Sequence, residues 1–499
     1  MDVKVLPLII NGEEVSSVSS DLIDVVDPST QQVLCRVPCS TREEMELIVH
    51  SASEAQKKWR EVPVQQRTRV MIKFQTLLVE HKDRIADVIV RENGKTKVDA
   101  LGDVTRGIEV VEHCLGMPTL MMGEAVEQIS RDMDTFTIRQ PLGVVGGIAP
   151  FNFPAMIPLW MMPIALGTGN AFILKPSEKV PSAGMMIVKL AIEAGFPKGI
   201  VSVLHGGKDA ADFICNHPAI RAVSFVGSSL VGRAIYDMCT KAGKRVQCNM
   251  GAKNHAVVMP DANKEQAING ILGAAFGAAG QRCMAISVCV FVGSASSFLP
   301  EFVAKAKEYR VGHGAAEGTD IGPVISQASL KRIEQIIQAS VDAGATLDLD
   351  GRGVKVEGFD KGNFIGPTII SGVTTSMPCY KEEVFGPVLS VVCVDSLEAA
   401  IHFVNANDMG NGVALFTQNG GAARKFQHEI EVGQIGINVP VPVPLPFFCW
   451  SSSKGSILGE HHFYGKSSVH FYTQIKTSVC RWEFKDIQSD AGAMHFSGR

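Results

Sequence analysis

The chain has 499 residues, too many for a single hydrophobic core, so its length predicts two or three structural units. Hydrophobic residues make up 46% of it and charged residues 20%, as in an ordinary globular protein. The formal net charge of −4 argues against nucleic acid or an anionic membrane as a partner. No segment has the pattern of a transmembrane helix, and the N-terminus lacks the apolar core of a secretory signal. We therefore expect a cytosolic protein, or one whose presequence is missing from this sequence.

Twelve cysteines are scattered along the chain. None belongs to a CxxC pair or to a Cys/His cluster with zinc spacing, and Cys35 and Cys39, four residues apart, are a weak metal signal. This usage predicts a reducing compartment, no metal site, and cysteines that mostly serve as small buried hydrophobic residues.

The N-terminal part predicts strands followed by a layer of amphipathic helices. Strand-like runs cover Leu6–Ile10 and Leu22–Val26. Ser40, followed by Glu43, predicts a capping box for a helix from Thr41 to Lys58. Three more helices are expected at Val64–Glu80, Arg84–Asn93 and Lys97–Met117.

From Gly143 onward, short apolar segments alternate with helical ones. The strands VVGGIAP, AFILKP, VSVLHG and AVSFVG are each followed by a helix, predicted in turn at Ile157–Gly167, Ser182–Glu193, Ala210–Asn216 and Val231–Lys241. A second series follows Gly251 and runs to about Gly436, with the strands HAVVM, ISVCVFV, FIGPTII and PVLSVVCV. This alternation predicts an α/β fold with two domains of similar size, built on parallel doubly wound sheets.

Two further segments alternate apolar and polar residues outside these series. They are Met133–Arg139 (MDTFTIR) and VHFYTQIKT near the C-terminus. Exposed strands outside the main sheets are candidates for pairing between subunits, so we expect a homodimer or a dimer of dimers.

Three loops have residue types that suit a nucleotide cofactor. FVGSSLVG (Phe225–Gly232) is a strand, a glycine turn and a helix start, which lets a pyrophosphate approach backbone N–H groups. KPSE (Lys175–Glu178) offers a cation and a carboxylate to ribose hydroxyls, and EEVFGP (Glu382–Pro387) places a carboxylate near an aromatic ring. Taken singly, these segments are more typical of a tight βα turn and of solvated loops.

Two other segments have residue types that suit covalent catalysis. GAAGQRCMAIS (Gly277–Ser287) places Cys283 on a tight loop beside a cation, which would lower its thiol pKa from about 8.5. PFNFP (Pro150–Pro154) fixes Asn152 between two prolines, which suits an amide donor aimed at an oxyanion. The simpler interpretation of Cys283 alone is a buried, inert cysteine. The simpler interpretation of Asn152 alone is an asparagine whose side chain hydrogen-bonds within a turn.

The order and spacing of these motifs carry a family resemblance that no single motif carries. PFNFP, KPSE, FVGSSLVG, GAK, GQRC and EEVFGP, in that order, resemble the aldehyde dehydrogenase superfamily from about residue 5 to residue 475. The resemblance implies a Rossmann-like NAD-binding domain (1–122 and 142–250), an α/β catalytic domain (251–440) and a small β oligomerisation arm (123–141 and 465–485). It also implies a homodimer or homotetramer.

The resemblance further implies roles for individual residues. Cys283 matches the catalytic nucleophile, and Asn152 matches the amide that forms an oxyanion hole with the backbone N–H of Cys283. Residues that match NAD contacts are Ala149, Phe151, Lys175, Glu178, Gly227, Ser228, Glu383 and Phe385. Glu178 favours NAD over NADP, because a carboxylate accepts from a 2′-hydroxyl and repels a 2′-phosphate.

One position departs from the hydrolytic members of the superfamily. They carry a water-activating glutamate two residues before the glycine of the segment written here as NMGAK, and this chain has Asn249 there. An amide cannot accept a proton near neutral pH, whereas a thiol is partly ionised without help. We therefore expect CoA, rather than water, as the second acceptor.

A narrower resemblance rests on Asn249 and on two longer segments, GIAPFNFPAMIPLWMMPIALGTGNAFILKPSEKVP and NVPVPVPLP. They are similar to the CoA-acylating methylmalonate-semialdehyde (malonate-semialdehyde) dehydrogenases, which form propionyl-CoA or acetyl-CoA with loss of carbon dioxide. This implies valine, pyrimidine or inositol catabolism, in the mitochondrial matrix of a eukaryote or otherwise in the cytoplasm. Arg106 and Arg282 match the carboxylate-binding arginines of the group, and bidentate pairing is the physical reason for arginine there. Without the resemblance, Arg106 would be interpreted as a helix-surface charge.

The C-terminal segment FFCWSSSKGSILGEHHFYGK departs from this group. It keeps the FYGK ending but has Cys449, Trp450, Ser451 and the pair His461–His462 where other residues are expected. A histidine pair suggests a metal, but no ligand cluster accompanies it, so a solvated loop is the prediction.

Three other functions stay open at this point. The first is a hydrolytic aldehyde dehydrogenase, against which Asn249 argues. The second is a non-catalytic protein that reuses the fold, which loss of Cys283 or Asn152 would have favoured. The third is a thiol hydrolase, which needs a histidine partner for Cys283 that no recognisable motif supplies.

Overall fold

The structure, a computed structural model, describes residues 3–483. Two mostly parallel sheets organise it, and each has its own buried core. The first core draws on residues between Leu8 and Met250, on Met284, and on a C-terminal group between Trp450 and Tyr472. The second core lies between Ala256 and Val432. The predicted α/β class with two doubly wound units is confirmed.

The first sheet has eight strands. In spatial order they are Glu13–Val15, Leu8–Ile10, Val201–Val203, Ala171–Lys175, Val144–Ile148, Ile220–Val226, Arg245–Asn249 and Ile457–Leu458. The five from Val201–Val203 to Arg245–Asn249 are parallel to their neighbours, and antiparallel strands flank them on both sides. The chain runs outward from Val144–Ile148 on one side and then returns to add Ile220–Val226 on the other. Ligands of open α/β sheets bind beyond the carboxyl ends of the strands at such a reversal.

The second sheet has seven strands. In spatial order they are Thr346–Leu349, Thr368–Ser371, Val388–Val394, Ile286–Val292, Asn254–Val258, Gly412–Phe416 and Gln434–Ile437. Only the first of them is antiparallel to its neighbour. The strands at its centre are buried almost throughout, which explains why they form continuous apolar runs in the sequence.

The α-helices of residues 3–483 are Arg42–Trp59, Val64–Asn93, Lys97–Cys114, Met117–Leu120, Met156–Gly167, Ser182–Ala194, Lys208–Asn216, Ser229–Lys241, Lys264–Phe276, Leu299–Ala306, Gln327–Asp342, Pro378–Lys381, Leu397–Asn405, Gly420–Glu429 and Gly465–Tyr472. Two 3₁₀ segments, Gly277–Gly280 and Gly293–Phe298, precede and follow the strand Ile286–Val292. Within the described range, no helix has the length and apolar character needed to cross a membrane.

The start of the first helix corrects the predicted capping box by one residue. Thr41, not Ser40, is the cap: its hydroxyl accepts from the Glu44 N–H at 3.3 Å, and the Glu44 carboxylate accepts from the Thr41 N–H at 2.8 Å. The hydroxyl of Ser40 is used elsewhere, because it accepts from the backbone N–H of His205 at 3.1 Å.

Two predicted helix boundaries are also wrong. The helices expected at 64–80 and 84–93 are one helix of 30 residues, because the intervening HKD is polar but contains no glycine or proline to break it. The helix that starts at Lys97 ends at Cys114, before Gly116 and Pro118, and a separate single turn covers Met117–Leu120.

A separate sheet has three strands, in the order Thr473–Arg481, Met133–Pro141 and Ala125–Ser130. The strand Met133–Pro141 contains the predicted segment Met133–Arg139, and it pairs within the chain with Thr473–Arg481, from Thr473 opposite Pro141 to Arg481 opposite Met133. The prediction of a strand over VHFYTQIKT is wrong for its first four residues, which belong to the helix Gly465–Tyr472. The strand Ala125–Ser130 is exposed along its whole length. Residues 1–2 and 484–485 of the predicted domains lie outside the described residues.

Two short strand pairs complete the sheets, Leu22–Val26 with Val33–Pro38 and Met409–Gly410 with Ser453–Lys454.

Candidate active site

Cys283 lies on the loop between the 3₁₀ turn Gly277–Gly280 and the strand Ile286–Val292. Its carbonyl oxygen accepts hydrogen bonds from the side-chain amides of Asn254, at 2.8 Å, and Asn411, at 3.0 Å. These two residues stand at the amino ends of neighbouring strands in the second sheet. The sheet thereby fixes the backbone of the candidate nucleophile from two strands.

The turn before Cys283 has an uncommon backbone conformation. Ala278 and Ala279 have φ values of 50° and 53°, and Gly280 continues with 71°. A left-handed conformation costs a residue with a Cβ about 1–2 kcal/mol, and such strain is concentrated at functional sites. Gly280 is required here, because a Cβ would lie 2.1 Å from the carbonyl oxygen of Gly386.

The Cys283 thiol is neutral near pH 7 in this structure. Burial and the charge of Glu383 raise the pKa of Cys283 to about 12, while backbone N–H groups of Cys283 and Met284 oppose the shift. The sequence predicted a pKa lowered by the adjacent cation, and that prediction is wrong for this state. The guanidinium of Arg282 pairs with Asp99 rather than with the thiol.

Asn152 lies on the loop after the strand Val144–Ile148 and is buried. Its side-chain amide donates to the carbonyl oxygen of Gln281 at 3.0 Å, which joins the PFNFP loop to the loop of Cys283. An amide nitrogen carries two N–H groups, so this contact leaves one for a substrate oxygen. Asn152 and Cys283 are therefore brought to neighbouring loops, as an oxyanion hole requires.

A buried ion pair supports the loop of Asn152. The Lys95 ammonium donates to the backbone oxygen of Asn152 at 2.5 Å and to the Asp103 carboxylate at 3.2 Å. Asp103 also accepts from the backbone N–H of Met156 at 2.7 Å. Burial raises the pKa of Asp103, and the charge of Lys95 opposes this. Neither charged residue was singled out in the sequence.

Each of the two predicted carboxylate-binding arginines already has a carboxylate partner. Arg282 forms an ion pair with Asp99, and Arg106 pairs with Glu109 at 2.9 Å. The second pair is a half-exposed (i, i+3) contact on a helix, of the kind that contributes little to stability.

Tyr464 connects the surroundings of Arg106 and Cys283. It is buried, and burial raises the pKa of its phenol; the charge of Glu109 and the Cys283 thiol act in the same direction, and Arg106 acts against them. Its hydroxyl therefore lies within electrostatic range of both Arg106 and Cys283. No sequence motif distinguished this tyrosine from the rest of the FYGK segment.

An aromatic cluster forms around Tyr464. The ring of Trp160 lies 4.5 Å from Trp450, 5.4 Å from Phe463 and 5.1 Å from Tyr464, measured between centroids. Trp450, one of the unexpected residues of the C-terminal segment, is thus buried in this cluster.

The atypical histidine pair belongs to the same C-terminal segment. His461 and His462 are partly exposed, and the nearest histidine ring to His461 is that of His470 at 6.2 Å. Within residues 3–483, no group of three or more His, Cys, Asp or Glu residues could hold a metal ion.

Glu383 and Phe385 reach the site from the loop before the strand Val388–Val394. The Glu383 carboxylate accepts from the Ala252 N–H at 3.1 Å, and burial raises the pKa of Glu383 to about 7. Phe385 has a φ of 56°, and its ring meets that of Phe151 edge-on at 6.0 Å. One cavity is lined by Glu383 and Phe385 together with residues of the Cys283 loop and of the segment after Asn249, including Ala252, Gly280, Arg282 and Cys283.

The glycine turn after Ile220–Val226 has the form expected of an anion site. Gly227 allows no side chain, because a Cβ would lie 2.4 Å from the ring of Phe225. Ser228 is the N-cap residue of the helix Ser229–Lys241 but makes no side-chain capping bond. Its first N–H groups are therefore available to a phosphate. Leu230, on the first turn, is 82% exposed, which leaves an apolar surface beside that anion site.

The KPSE segment lies at the same edge of the sheet. Lys175 is buried, and its ammonium lies 3.3 Å from the Glu178 carboxylate. Ala149 donates its backbone N–H to the Lys175 oxygen at 3.0 Å, which keeps the loops after these two strands together. The carboxyl ends of three neighbouring strands thus present the predicted cofactor contacts on one side.

Asn249 ends the strand Arg245–Asn249 and is buried. Neither its side-chain oxygen nor its side-chain nitrogen has a hydrogen-bond partner among the described residues. Two residues later, a Cβ on Gly251 would lie 2.8 Å from Glu383. An unsatisfied buried amide is costly, so its presence beside the site indicates a group that bonds a ligand or a reactant.

Comparisons with known proteins agree with this geometry. The model of the aldehyde dehydrogenase family matches residues 15–478. A mitochondrial acylating methylmalonate-semialdehyde/malonate-semialdehyde dehydrogenase from Bos taurus is 49% identical over 499 residues, 100% of this chain and 93% of that protein. A mitochondrial acylating methylmalonate-semialdehyde dehydrogenase from Arabidopsis thaliana is 53% identical over 482 residues, 97% of this chain and 79% of that protein.

Two solved structures are similar over nearly the whole chain. The methylmalonate-semialdehyde dehydrogenase of Oceanimonas doudoroffii has a TM-score of 0.96 at 40% identity and covers 98% of this chain and 100% of its own. A protein of Sinorhizobium meliloti 1021, assigned as a methylmalonate-semialdehyde dehydrogenase and complexed with NAD, has a TM-score of 0.96 at 42% identity, with the same coverage of both chains.

Proposed function

We propose that this chain, which belongs to the aldehyde dehydrogenase family, oxidises methylmalonate or malonate semialdehyde with NAD and transfers the acyl group to CoA. The observation that carries the proposal is Asn249, a buried amide without a hydrogen-bond partner among the described residues, at the position where hydrolytic relatives need a base. The names of the Bos taurus and Arabidopsis thaliana relatives support the acylating activity. Both are called mitochondrial, which supports that compartment for this chain.

The chain's own residues supply the covalent chemistry. The Cys283 thiol gives its proton to water, and the thiolate attacks the aldehyde carbon. The free N–H of Asn152 stabilises the resulting oxyanion together with a backbone N–H. Hydride loss then leaves a thioester on Cys283. Attack by the CoA thiol releases the acyl group and restores the cysteine. A β-carboxyl group next to an acyl thioester is readily lost as carbon dioxide.

The residues of the first sheet fit NAD. The helix start at Ser228 would hold the pyrophosphate, because no side chain caps its first N–H groups, and Lys175 with Glu178 would hold a ribose. Glu383 and Phe385 would hold the nicotinamide end, next to Cys283. When bound, NAD supplies the hydride acceptor. We therefore assign residues 1–122 and 142–250 to cofactor binding and 251–440 to catalysis.

Self-association is proposed through the segments 123–141 and 465–485, whose described part contains the three-stranded sheet. Large apolar side chains on its described strands are exposed, among them Val126, Phe136, Ile138, Ile475 and Val479. Exposed strands of this kind are covered in symmetric oligomers, which supports a homodimer or homotetramer.

Hydrolysis is the second candidate because of one observation. Glu383 is a carboxylate with a pKa of about 7 within electrostatic range of Cys283, so it has the proton affinity of a base for water. Its oxygen is engaged by the Ala252 N–H at 3.1 Å, which argues that it holds a ligand instead.

The test is NADH formation from methylmalonate semialdehyde, with CoA present or omitted. We expect sustained turnover and acyl-CoA only when CoA is present, and at most one NADH for each active site without it. Sustained NADH formation without CoA, with a free acid as product, would establish the hydrolytic alternative.

Replacing Arg106 with alanine tests the substrate class. We expect kcat/KM for the carboxylated semialdehyde to fall about 100-fold, because a charge-assisted, bidentate contact is lost, and kcat/KM for propanal to fall far less. Arg42→Ala is the matched control, because it also removes an arginine from a helix-surface ion pair, here an (i, i+4) pair with Glu46. Equal losses for both substrates in Arg106→Ala would contradict the carboxylate role.

A further inference from the structure

One face of the helix Lys97–Cys114 reaches the candidate site at three successive turns. Asp99, Asp103 and Arg106 are spaced by four and three residues, so they lie along one face. Asp103 accepts a hydrogen bond from the Lys95 ammonium, which also donates to the backbone oxygen of Asn152. Arg106 lies near Tyr464. Asp99 contacts the segment that carries Cys283, through the Arg282 side chain and the Ala278 backbone. The motifs of the sequence do not indicate this contact.

The carboxylate of Asp99 has three partners. It pairs with the Arg282 guanidinium, accepts from the Ala278 backbone N–H at 3.1 Å, and accepts from the Thr96 hydroxyl at 3.1 Å. The Asp99 side chain is only 18% exposed. Because these donors fix the Asp99 carboxylate in place, it in turn restricts the orientation of the Arg282 guanidinium.

The guanidinium of Arg282 is also confined on its other side. A Cβ built on Gly277 would lie 2.5 to 2.7 Å from three guanidinium atoms, so the group lies flat against the glycine backbone. Its second hydrogen bond, from Nη1 to the Gly273 oxygen, is long at 3.5 Å. These contacts use two of its five N–H groups, and within residues 3–483 the other three have no hydrogen-bond partner that competes with a ligand.

We propose that Asp99 is a positioning residue that makes the enzyme selective for carboxylated aldehydes by holding Arg282 in the orientation that receives the substrate carboxylate. This inference rests on the proposed function, in which Arg282 is a carboxylate contact. The side chain of arginine loses rotamer freedom when it binds, and a preformed pair with Asp99 removes most of that loss in advance. The pair of Arg106 with Glu109 differs, because it is half-exposed and exchanges its partner easily.

Asp99→Asn tests the proposal with little change in shape. The amide oxygen keeps an acceptor for the Ala278 N–H, so the turn before Cys283 is retained, but the charge that holds Arg282 is lost. We expect kcat/KM for methylmalonate semialdehyde to fall about tenfold or more, and kcat/KM for propanal to change by less than about threefold. Asp87→Asn is the matched control, because Asp87 pairs at the surface with Lys97, on the first turn of the same helix.

A double-mutant cycle identifies the route of the effect. If Asp99 acts through Arg282, Asp99→Asn added to Arg282→Ala leaves the ratio of the two kcat/KM values unchanged. An equal loss for both substrates in Asp99→Asn would show that it only supports the loop, and a gain with the semialdehyde would show that it competes with the substrate; either result overturns the proposal. If the wild-type protein is active with semialdehyde and CoA but the Asp99→Asn variant keeps the same selectivity, this inference alone is contradicted. A wild-type protein without that activity contradicts the proposed function as well.

Discussion

Cys283→Ala is expected to remove NADH formation with every aldehyde, by at least about 10⁴-fold in kcat, because no other group takes over a missing nucleophile. The loss should be equal for methylmalonate semialdehyde and propanal, because both aldehydes require the same attack by the Cys283 thiol. A stopped-flow measurement should find no initial burst of NADH. Binding of NAD, measured by fluorescence quenching, should be unchanged.

The exposed Cys393 provides the matched control for this variant. Cys393→Ala removes a thiol from the same sheet, at the end of the strand Val388–Val394, and should keep full activity. Mass spectrometry of the wild-type protein, mixed with NAD and semialdehyde but no CoA, should find the acyl group on the peptide that contains Cys283. Turnover by Cys283→Ala, or acylation of a different cysteine, would contradict the mechanism.

The sequence predicted the alternation of strands and helices well because buried parallel strands and amphipathic helices have distinct local patterns. It failed where two local patterns overlap. Both Ser40–Glu43 and Thr41–Glu44 have the capping-box spacing, and only the tertiary contact of Ser40 with His205 decides between them. A local pattern cannot contain that information.

The site shows the same division between local and long-range information. Cys283 and Asn152 lie on loops whose motifs are local, and the structure brings those loops together. The pairing of Arg282 with Asp99 joins residues 183 positions apart, so no window of sequence contains it. The signal that was available is the spacing of Asp99, Asp103 and Arg106 on one predicted helix, which indicates a charged face turned toward the protein rather than toward solvent.

The lowered pKa predicted for Cys283 was wrong for a related reason. A cation adjacent in sequence lowers a thiol pKa only if its side chain points at the sulfur, and Arg282 points at Asp99. Burial and Glu383 then dominate. The thiol is thus held in its unreactive form, and an event that adds positive charge near Cys283, such as binding of the oxidised cofactor, is expected to activate it.

Lys95→Met is expected to cause the largest loss of stability among these variants, about 3–5 kcal/mol in the free energy of unfolding. Methionine fills nearly the same volume but leaves the Asp103 carboxylate buried without a counter-ion and the Asn152 oxygen without its donor. Chemical denaturation at pH 8 measures the loss. Lys97→Met is the matched control: Lys97 pairs with Asp87 at the surface, so it should change stability by less than about 1 kcal/mol.

The loss in Lys95→Met should depend on pH with a definite sign. Burial already raises the pKa of Asp103, and removal of Lys95 raises it further. Between the unfolded and folded pKa values the native state binds more protons than the unfolded state, so stability falls as the pH rises through that window. Lys95→Met should therefore be closer to wild type at pH 5 than at pH 8. The double variant Lys95→Met, Asp103→Asn keeps the acceptor for the Met156 N–H. It should recover much of the stability that Lys95→Met loses at pH 8, and its stability should no longer depend on pH in this range. A loss that is the same at both pH values, or is not relieved by the second substitution, would show that the contact of the Lys95 ammonium with the Phe153 ring, and not its pairing with Asp103, stabilises the loop of Asn152.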